Sequence, residues 1–175
     1  MQIIPRRPIL DPVSETDPRW LSAQERQLWL TLSRLMTVLP PALDAQLERD
    51  AGLNYYEYIV LAMLSEEPDR SLPMSRLSLV TAGSLSRLSN VVKRLEARDY
   101  VGRCAHPDDR RVKVVRLLDA GNAALVAAAP AHVGHVRDLV VDAVPAADLD
   151  HLTRALRRVL DRVSPEGFPA LDDPA

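Results

Sequence analysis

Residues 84–116 constrain the fold of this chain more than any other part of the sequence. Apolar residues recur at helical spacing in residues 84–98 and would form the packed face of a helix, at Leu85, Leu88, Val92 and Leu95. Two valine-rich runs follow, residues 100–106 and 112–118, with a Pro-Asp turn between them. Because β-branched residues favour strands and a Pro-Asp pair favours a turn, the segment predicts a helix followed by a two-stranded hairpin.

Positive charge is concentrated in the same segment. Residues 84–116 contain nine Lys or Arg and four Asp or Glu, a balance of +5, whereas the whole chain has a formal net charge of −2. This balance argues against a uniformly basic protein that binds any polyanion, so DNA binding would have to come from the local patch. A polar, basic helix fits the major groove of DNA, and an arginine-tipped hairpin can reach a neighbouring minor groove.

A long helix is expected upstream of this segment. From Trp20 onward, apolar residues recur at helical spacing, at Leu28, Leu32, Leu35 and Leu39. The pair Pro40-Pro41 should break or sharply kink that helix, because proline has no N–H donor and clashes with the preceding turn. The pattern then resumes and ends at Gly52, a residue type that suits a helix C-cap.

Two shorter helices are predicted immediately before the basic one. Asn54, with Glu57 three residues later, is an N-cap signature for a helix that continues through Leu64. Pro73 suits the first position of a short helix that ends at Val80. Residues 81–83, Thr-Ala-Gly, then form a turn of the length and glycine content found between the two helices of a helix-turn-helix.

Two further helices are predicted after the hairpin. Asp119 would cap the first, which reaches about Val144 and should be kinked or divided at Pro130. The second has an apolar stripe at steps of three and four residues, at Leu149, Leu152, Leu156, Val159 and Val163. Residues 1–18, with four prolines, are predicted to form an extended arm, and residues 164–175 a loose tail.

Composition argues against several classes of protein. Hydrophobic residues make up 47% of the 175 residues, enough for the core of one domain or of two joined lobes. A single cysteine, Cys104, excludes an internal disulfide framework and a multi-cysteine zinc site. No apolar run approaches the roughly 20 residues that cross a bilayer, and the N-terminal sequence lacks the apolar core of a secretory signal. We therefore expect a cytoplasmic protein with no membrane partner.

Taken together, these elements resemble the multiple antibiotic resistance regulator (MarR) family of winged-helix transcription factors, over about residues 20–163. The matching stretches are residues 84–88 (SLSRL), 92–98 (VKRLEAR), 107–111 (PDDRR) and 117–121 (LLDAG). The wing of that family carries Asp-Arg-Arg after a proline, which is intact here. One departure is Asp99, where the family usually has glycine. Aspartate tolerates the left-handed conformation better than most residues, so we expect the same fold.

The resemblance implies a mainly α fold with a two- to three-stranded β wing, in which a winged helix-turn-helix is joined to long dimerisation helices. Residues 53–118 would form the DNA-binding lobe, and residues 19–52 and 119–163 the helices that interlock two copies. It also implies a symmetric homodimer that binds an inverted-repeat operator in double-stranded DNA, most often as a repressor. The long stripe that ends at Val163 supports a dimer independently, because large exposed apolar patches usually mark interfaces.

The same resemblance places DNA contacts on the basic helix and on the wing. The expected contact residues are Ser84, Ser86, Arg87, Ser89, Asn90, Lys93, Arg94, Asp109, Arg110 and Arg111. Those from Ser86 to Asn90 would face bases, whereas Lys93 and Arg94 would face phosphates. One of the two wing arginines would enter the minor groove, and Asp109 would hold its neighbour's guanidinium.

A ligand site is implied as well. Members of the family commonly hold small aromatic or phenolic anions in a crevice between the DNA-binding lobe and the dimer helices, and ligand binding releases DNA. The residues here that would line such a crevice are Trp29, Arg34, Met36, Tyr55, Tyr56, Met63 and His132. An aromatic and methionine set at helical spacing also fits an ordinary core, and the sequence leaves both interpretations open.

Other chemistries have weaker support in the sequence. His132 and His135 stand three residues apart and could share a metal ion, but zinc sites need three or four ligands and no nearby cluster completes the set, so no metal or other cofactor is expected. Cys104 is either a peroxide-sensing thiol or a buried or inert strand residue. No catalytic triad or carboxylate pair is recognisable, so an enzyme is not expected. The alternative to a regulator is a winged-helix protein-interaction module, or a non-specific DNA binder without a defined operator.

Overall fold

The computed structural model describes residues 18–105, 109 and 111–164. Within them the elements follow in the order α1 (Ala23–Ala51), α2 (Tyr55–Ser65), β1 (Ser71–Pro73), α3 (Met74–Val80), α4 (Leu85–Glu96), β2 (Val101–Ala105), β3 (Lys113–Leu117), α5 (Asp119–Val136) and α6 (Leu149–Val163). A π-helical turn, Arg137–Val141, and a 3-10 turn, Ala146–Asp148, lie between α5 and α6. This mainly helical fold with a small sheet confirms the predicted fold class. Residues 1–17 of the predicted arm and 165–175 of the predicted tail lie outside the described residues.

The chain divides into two compact units, Met1–Thr37 and Val38–Ala175. In the first unit, α1 begins after Ser22, whose hydroxyl accepts the Glu25 N–H (3.2 Å) while the Glu25 carboxylate accepts the Ser22 N–H (2.7 Å). This capping box satisfies two N–H groups at the start of the helix. The hydrogen bond from the Ser22 N–H also lowers the pKa of Glu25.

The helix α1 continues through Pro40 and Pro41, so the break, one of the two predicted alternatives, is wrong, whereas the sharp kink stays a prediction. Proline removes a donor and crowds the preceding turn, but two adjacent prolines confine both losses to a single turn. The burial of Leu47 shortly afterwards stabilises the turns that follow by packing. The helix ends where the sequence predicted: Gly52 has φ +62°, and the Leu53 N–H donates to the Leu47 carbonyl at 3.4 Å across the cap.

One apolar core is enclosed by the helices α2, α3 and α4 and by the three strands. We call residues 53–118 the winged lobe. The sheet is antiparallel in the order β1-β3-β2, with Ser71 opposite Arg116 and Val101 opposite Leu117. Every element from α2 to β3 contributes to the core, which includes Leu53, Val60, Leu61, Leu64, Leu72, Leu77, Leu88, Val92, Leu95, Val101, Val115 and Leu117. Helices and wing are therefore one packed body.

The strand β1 was not located from the sequence, because Pro73 indicated the start of a helix. Pro73 was predicted as the first residue of a helix, but it is the last residue of β1 and the N-cap of α3. A proline is tolerated there because β1 lies at the edge of the sheet. The strand is anchored by Leu72, which is buried and pairs with Val115 of β3.

The helix α4 is shorter than predicted, and its packed face differs by one residue. It ends at Glu96 rather than Arg98, and Asp99 then adopts φ +56°, as expected for this position. Leu85 was predicted to pack but is 54% exposed. Helical side chains lean toward the N-terminus, so the first residue of α4 overhangs the end of the helix. The residues that pack are Leu88, Val91, Val92 and Leu95.

The helix α5 also differs from its prediction. Leu118 occupies the N-cap position, and Asp119 is the first helical residue, with its carboxylate 3.5 Å from the Arg70 guanidinium. Pro130 lies inside α5 and does not divide it, because the helix continues to Val136. Its regular geometry ends in the π-helical turn, before the predicted limit near Val144.

The last helix, α6, is amphipathic, and its apolar face is exposed in the single chain. The exposed residues of that face are Leu152, Leu156, Val159 and Val163. In the part of the chain that the structure describes, none of the helices combines the length and the apolar character that crossing a membrane requires.

Candidate nucleic-acid interface

The solvent-facing side of α4 presents most of the residues that were expected to contact DNA. Ser84 is the N-cap, and its hydroxyl oxygen accepts the Arg87 N–H at 3.2 Å. The helix has 12 residues and is therefore about 18 Å long. Its packed face holds it on the lobe, so the opposite face is open to solvent, with Ser86, Arg87, Ser89, Asn90, Lys93 and Arg94 exposed on it.

Arg87 lies against an aromatic ring of α2. Its guanidinium carbon is 4.1 Å from the centre of the Tyr56 ring, within cation–π range. Tyr56 is buried, and its hydroxyl is 2.9 Å from Thr81 Oγ1. Because Thr81 Oγ1 donates to the Leu77 carbonyl, it accepts its second hydrogen bond from Tyr56. Gly83 leaves the necessary room, since a Cβ at that residue would collide with the Tyr56 hydroxyl.

Arg94 lies against a buried carboxylate of the same helix α2. Its Nε donates to Glu57 Oε1 at 2.9 Å. Glu57 Oε2 accepts the Asn54 N–H (3.1 Å), and Asn54 Oδ1 accepts the Glu57 N–H (2.8 Å), which completes the predicted capping box. The Glu57 side chain is 8% exposed and that of Arg94 53%. One N–H of Arg94 is thus used inside the protein, while more than half of the side chain stays accessible.

Some cations of the basic segment make internal contacts instead. Arg98 donates to the Gly52 carbonyl (2.7 Å), and its guanidinium carbon is 4.4 Å from the centre of the Tyr100 ring. Arg103 of β2 donates to the Ser89 carbonyl (2.9 Å) and forms an ion pair with Glu96. The sequence indicated neither role, because the backbone carbonyls that accept from Arg98 and Arg103 lie 46 and 14 residues away along the chain. The formal charge of the segment therefore overstates the positive charge available to DNA.

The wing tip contains an arginine–carboxylate pair. The Asp109 carboxylate accepts from the Nε, the Nη2 and the backbone N–H of Arg111, each at 3.0 Å. A bidentate pair fixes the plane of a guanidinium, and the hydrogen bond that Arg111 donates to Asp109 raises the pKa of Arg111. Asp109 thus holds one wing arginine in the way expected from the sequence. The other, Arg110, lies outside the described residues.

A cavity of about 540 Å³ opens between the C-terminal part of α1, the start of α2 and α4. Prolines, tyrosines and arginines line it, namely Pro40, Pro41, Tyr55, Tyr56, Arg87 and Arg94. Asp44 lies on the α1 side, where its Oδ1 accepts the Tyr55 N–H at 2.7 Å. The cavity therefore contains two members of the predicted ligand set, Tyr55 and Tyr56.

The remaining members of that set have other surroundings. Met63 packs against the core of the winged lobe. His132 is buried, and its ring centroid is 4.4 Å from that of Tyr58 and 6.0 Å from that of Tyr55. The other three are exposed residues of the unit Met1–Thr37, namely Trp29, Arg34 and Met36.

His132 makes a polar contact in the interior of the protein. Its Nδ1 is 3.1 Å from Gln46 Oε1, and Gln46 Nε2 donates to Asp50 at 2.9 Å. Gln46 Oε1 must therefore accept, which places a proton on His132 Nδ1. Burial lowers the pKa of His132, and the charge of His135 lowers it further. Over the described residues, no group of three or more His, Cys, Asp or Glu is placed to hold a metal ion.

Cys104, the other residue considered for sensing, lies on β2. Its side chain is exposed and forms no disulfide. Exposure excludes a buried cysteine, because the burial of β2 is confined to its beginning, at Val101. The inert strand residue and the peroxide-sensing thiol both stay predictions.

Comparison with known proteins identifies relatives of this chain. The sequence profile of the MarR family matches residues 51–112, which include α2, α3, α4 and most of the wing. Among curated proteins, the HTH-type transcriptional regulator MhqR of Bacillus subtilis is 25% identical over 142 residues, 79% of this chain and 93% of MhqR.

Solved structures give a closer match. Sco3205 of Streptomyces coelicolor, a MarR family transcriptional regulator crystallised in complex with DNA, is 37% identical and superposes with a TM-score of 0.79 over 84% of this chain and 92% of its own. AbsC, a MarR family transcriptional regulator from the same organism, is 32% identical with a TM-score of 0.79, over 83% of this chain and 98% of its own.

Proposed function

Because this chain belongs to the MarR family of transcriptional regulators, we propose that it binds one operator sequence as a homodimer and represses transcription there. The observation that carries the proposal is the exposed polar face of α4. Four buried residues hold that helix on the lobe, and the paired Arg111 of the wing lies beyond it in the chain. A fixed helix with an exposed polar face is what readout of the major groove requires.

Each part of this surface has a different role in the proposed complex. Ser86, Ser89 and Asn90 present short polar groups that can hydrogen-bond base edges, and Arg87 can reach guanine. Lys93 and the accessible part of Arg94 lie in the second half of α4, where they would contact phosphates. On the wing, Arg111 would enter the minor groove with its plane set by Asp109. The presence of DNA in the crystals of Sco3205 supports this role.

Two copies would be joined through the exposed apolar face of α6. Leu152, Leu156 and Val159 form a continuous stripe that the single chain leaves open to water. Patches of this kind usually mark protein interfaces, and soluble homo-oligomers are mostly two-fold symmetric. A two-fold dimer presents two α4 helices, which explains why the operator should be an inverted repeat.

A small aromatic anion would release the operator by entering the cavity beside α4. The tyrosine and proline side chains offer apolar contact for an aromatic ring, and the two arginines offer hydrogen bonds to a carboxylate or phenolate. Arg87 and Arg94 line the cavity and also belong to the proposed DNA surface. A ligand that engages them therefore has different affinities for the free and the DNA-bound protein, which is the condition for release.

Selection of bound sequences from a random duplex pool tests the proposal. We expect enrichment of an inverted repeat whose half-site centres are about 10 bp, or one turn, apart. A reporter gene placed behind that sequence should then be repressed by the protein. Binding that depends on salt but enriches no sequence would instead indicate a non-specific DNA binder. The absence of DNA binding would indicate a protein-interaction module.

The effector is tested separately with the selected operator. Fluorescence anisotropy of the labelled duplex, titrated with aromatic carboxylates, should show release by at least one of them. Tyr55→Ala should weaken that release, because Tyr55 lines the cavity from α2 and is not part of the exposed face of α4. Unchanged release by this variant would exclude the cavity as the effector site.

A further inference from the structure

Two neighbouring residues of α2 support two arginines on the exposed face of α4. Tyr56 lies beneath the Arg87 guanidinium, and Glu57 holds the Nε of Arg94. Arg87 and Arg94 are seven residues apart, which is close to two helical turns, so they occupy the same side of α4 at a separation of about 10 Å along its axis. Each arginine thus has its own support, and both supports come from the first turn of α2.

Neither support is free to move. The Tyr56 ring is buried, and its hydroxyl is held by Thr81 at the helix-turn-helix corner. The Glu57 carboxylate uses one oxygen to cap α2 and the other to hold Arg94. A buried carboxylate needs a partner, because an unpaired charge in the interior is unfavourable. The same contact therefore satisfies Glu57 and restrains Arg94.

We propose that Tyr56 and Glu57 are positioning residues for DNA recognition, which orient Arg87 and Arg94 before DNA arrives. This role rests on the proposed function, because it assigns a purpose to the surface that binds the operator. Arginine has a long, flexible side chain, and ordering it on binding consumes part of the binding free energy. A side chain whose rotamer is already fixed loses less conformational entropy on binding. The N–H groups of its planar guanidinium then point in one direction.

The direction in which operator affinity changes in a Glu57 variant distinguishes a positioning role from a purely electrostatic one. Glu57→Gln removes a negative charge near DNA, and charge alone would raise the affinity for any duplex. Positioning predicts the opposite result, a loss of about 3- to 10-fold in operator affinity as Arg94 becomes disordered. Glu66→Gln provides the matched control, because Glu66 is exposed at the other end of α2. That control should leave operator affinity unchanged or raise it slightly.

A double-mutant cycle tests whether Glu57 acts through Arg94. Glu57→Gln should weaken operator binding in the wild-type background but have no further effect in Arg94→Gln, which has no guanidinium to orient. The salt dependence should become shallower in Arg94→Gln, because one fewer phosphate is neutralised. Equal reductions of affinity in both backgrounds, accompanied by a lower melting temperature, would assign Glu57 to folding alone and overturn the positioning role.

Tyr56 gives a second test that does not depend on a buried charge. Tyr56→Phe keeps the ring beneath Arg87 and removes only the hydrogen bond to Thr81, so it should destabilise the protein and leave sequence preference intact. Tyr56→Leu removes the aromatic face and should relax the preference at the base that Arg87 reads. Identical sequence preferences for Phe and Leu would show that the ring does not orient Arg87.

The outcomes distinguish this proposal from the proposed function. If the wild-type protein enriches no operator, the proposed function and the positioning role are both overturned. If the wild type enriches an operator but Glu57→Gln and Tyr56→Leu bind it with unchanged affinity and preference, only the positioning role is overturned.

Discussion

The helices α4 and α6 both have amphipathic sequences, but the folded chain buries the apolar face of α4 and leaves that of α6 exposed. On α4, the apolar residues Leu88, Val91, Val92 and Leu95 are 0–3% exposed, because α2, α3 and the sheet cover them. On α6, the apolar residues Leu152, Leu156, Val159 and Val163 are 41–77% exposed. An apolar stripe in a sequence indicates that one face of a helix will be buried. It does not show whether the residues that bury it belong to the same chain or to another one.

This difference also separates two kinds of function. Because α4 buries its apolar face inside the chain, the face left over is polar and available to DNA. Because α6 leaves its apolar face uncovered, the face available there suits a second copy of the protein. Substitutions on the two helices test this contrast.

Leu156→Glu should disrupt the proposed dimer interface on α6. Burial of a leucine contributes about 1.5–3 kcal/mol, and in a symmetric dimer the residue counts twice, so we expect the dimer to lose about 3–6 kcal/mol. Sedimentation equilibrium should show monomers. Arg158→Glu places the same carboxylate on the opposite, polar face of α6 and should leave the protein dimeric. Two variants with the same mass in solution would exclude this face as the interface.

Leu88→Ala should destabilise the single chain by weakening the packing of α4. Leu88 is completely buried, so its truncation leaves a cavity and should lower the free energy of unfolding by about 2–5 kcal/mol. Chemical denaturation measures this value. Leu85→Ala on the same helix should change it by about 0.5 kcal/mol or less, because Leu85 is exposed. A similar cost at the two positions would contradict the packing described for α4.

Arg87→Ala should show that operator affinity depends on the polar face of α4 and not on that of α6. Removing a base contact from α4 should weaken operator binding by about 1–3 kcal/mol and relax sequence preference, as measured by competition between operator and random duplex. Arg158→Ala on the polar face of α6 should change neither quantity. An equal weakening on operator and random DNA would show that Arg87 contacts a phosphate rather than a base.

The titration of His132 should give the smallest effect, which depends on pH. Burial lowers the pKa of His132 below its ordinary value of 6.5, so the unfolded chain binds a proton more readily than the folded chain does. The contribution of the neutral His132 to stability is present above pH 6.5 and is lost as the pH falls from there toward the lowered pKa. Melting temperatures at pH 7.5 and 5.5 should therefore differ.

Variants of both histidines identify the source of that difference. His132→Asn keeps an N–H near Gln46 but does not titrate, so it should flatten the pH dependence. His151→Asn, on exposed α6, should preserve it. A pH dependence that persists in His132→Asn would assign the effect to other groups.

Local signals in the sequence predicted most of the elements. The cap at Gly52, the capping box of Asn54 and Glu57, and the two wing strands all depend on residues close together in the chain, and these predictions were confirmed. The break expected at Pro40 failed because a local cost was outweighed by packing. The strand β1 is three residues long and is held by pairing with a distant strand, so no periodicity could reveal it.

At the candidate site, too, only local features could be predicted from the sequence. The type and order of the polar residues on α4 were readable, but the partners of the arginines were not. Glu57 was identified as a helix cap, yet it also pairs with Arg94, 37 positions away. Arg103 and Tyr56 carried no signal of their roles, because cation–π and cross-element hydrogen bonds leave no periodic pattern.

The pairing of β1 with β3 has a consequence for the order in which the lobe acquires its structure. Ser71 lies opposite Arg116, so the strand ladder closes a loop that contains α3, α4 and β2. Closing a long loop reduces chain entropy, and contacts offset that loss only after the enclosed helices have packed. We therefore expect the base of the wing to form late in folding. The hairpin and the helix-turn-helix should gain their hydrogen-exchange protection in one cooperative step.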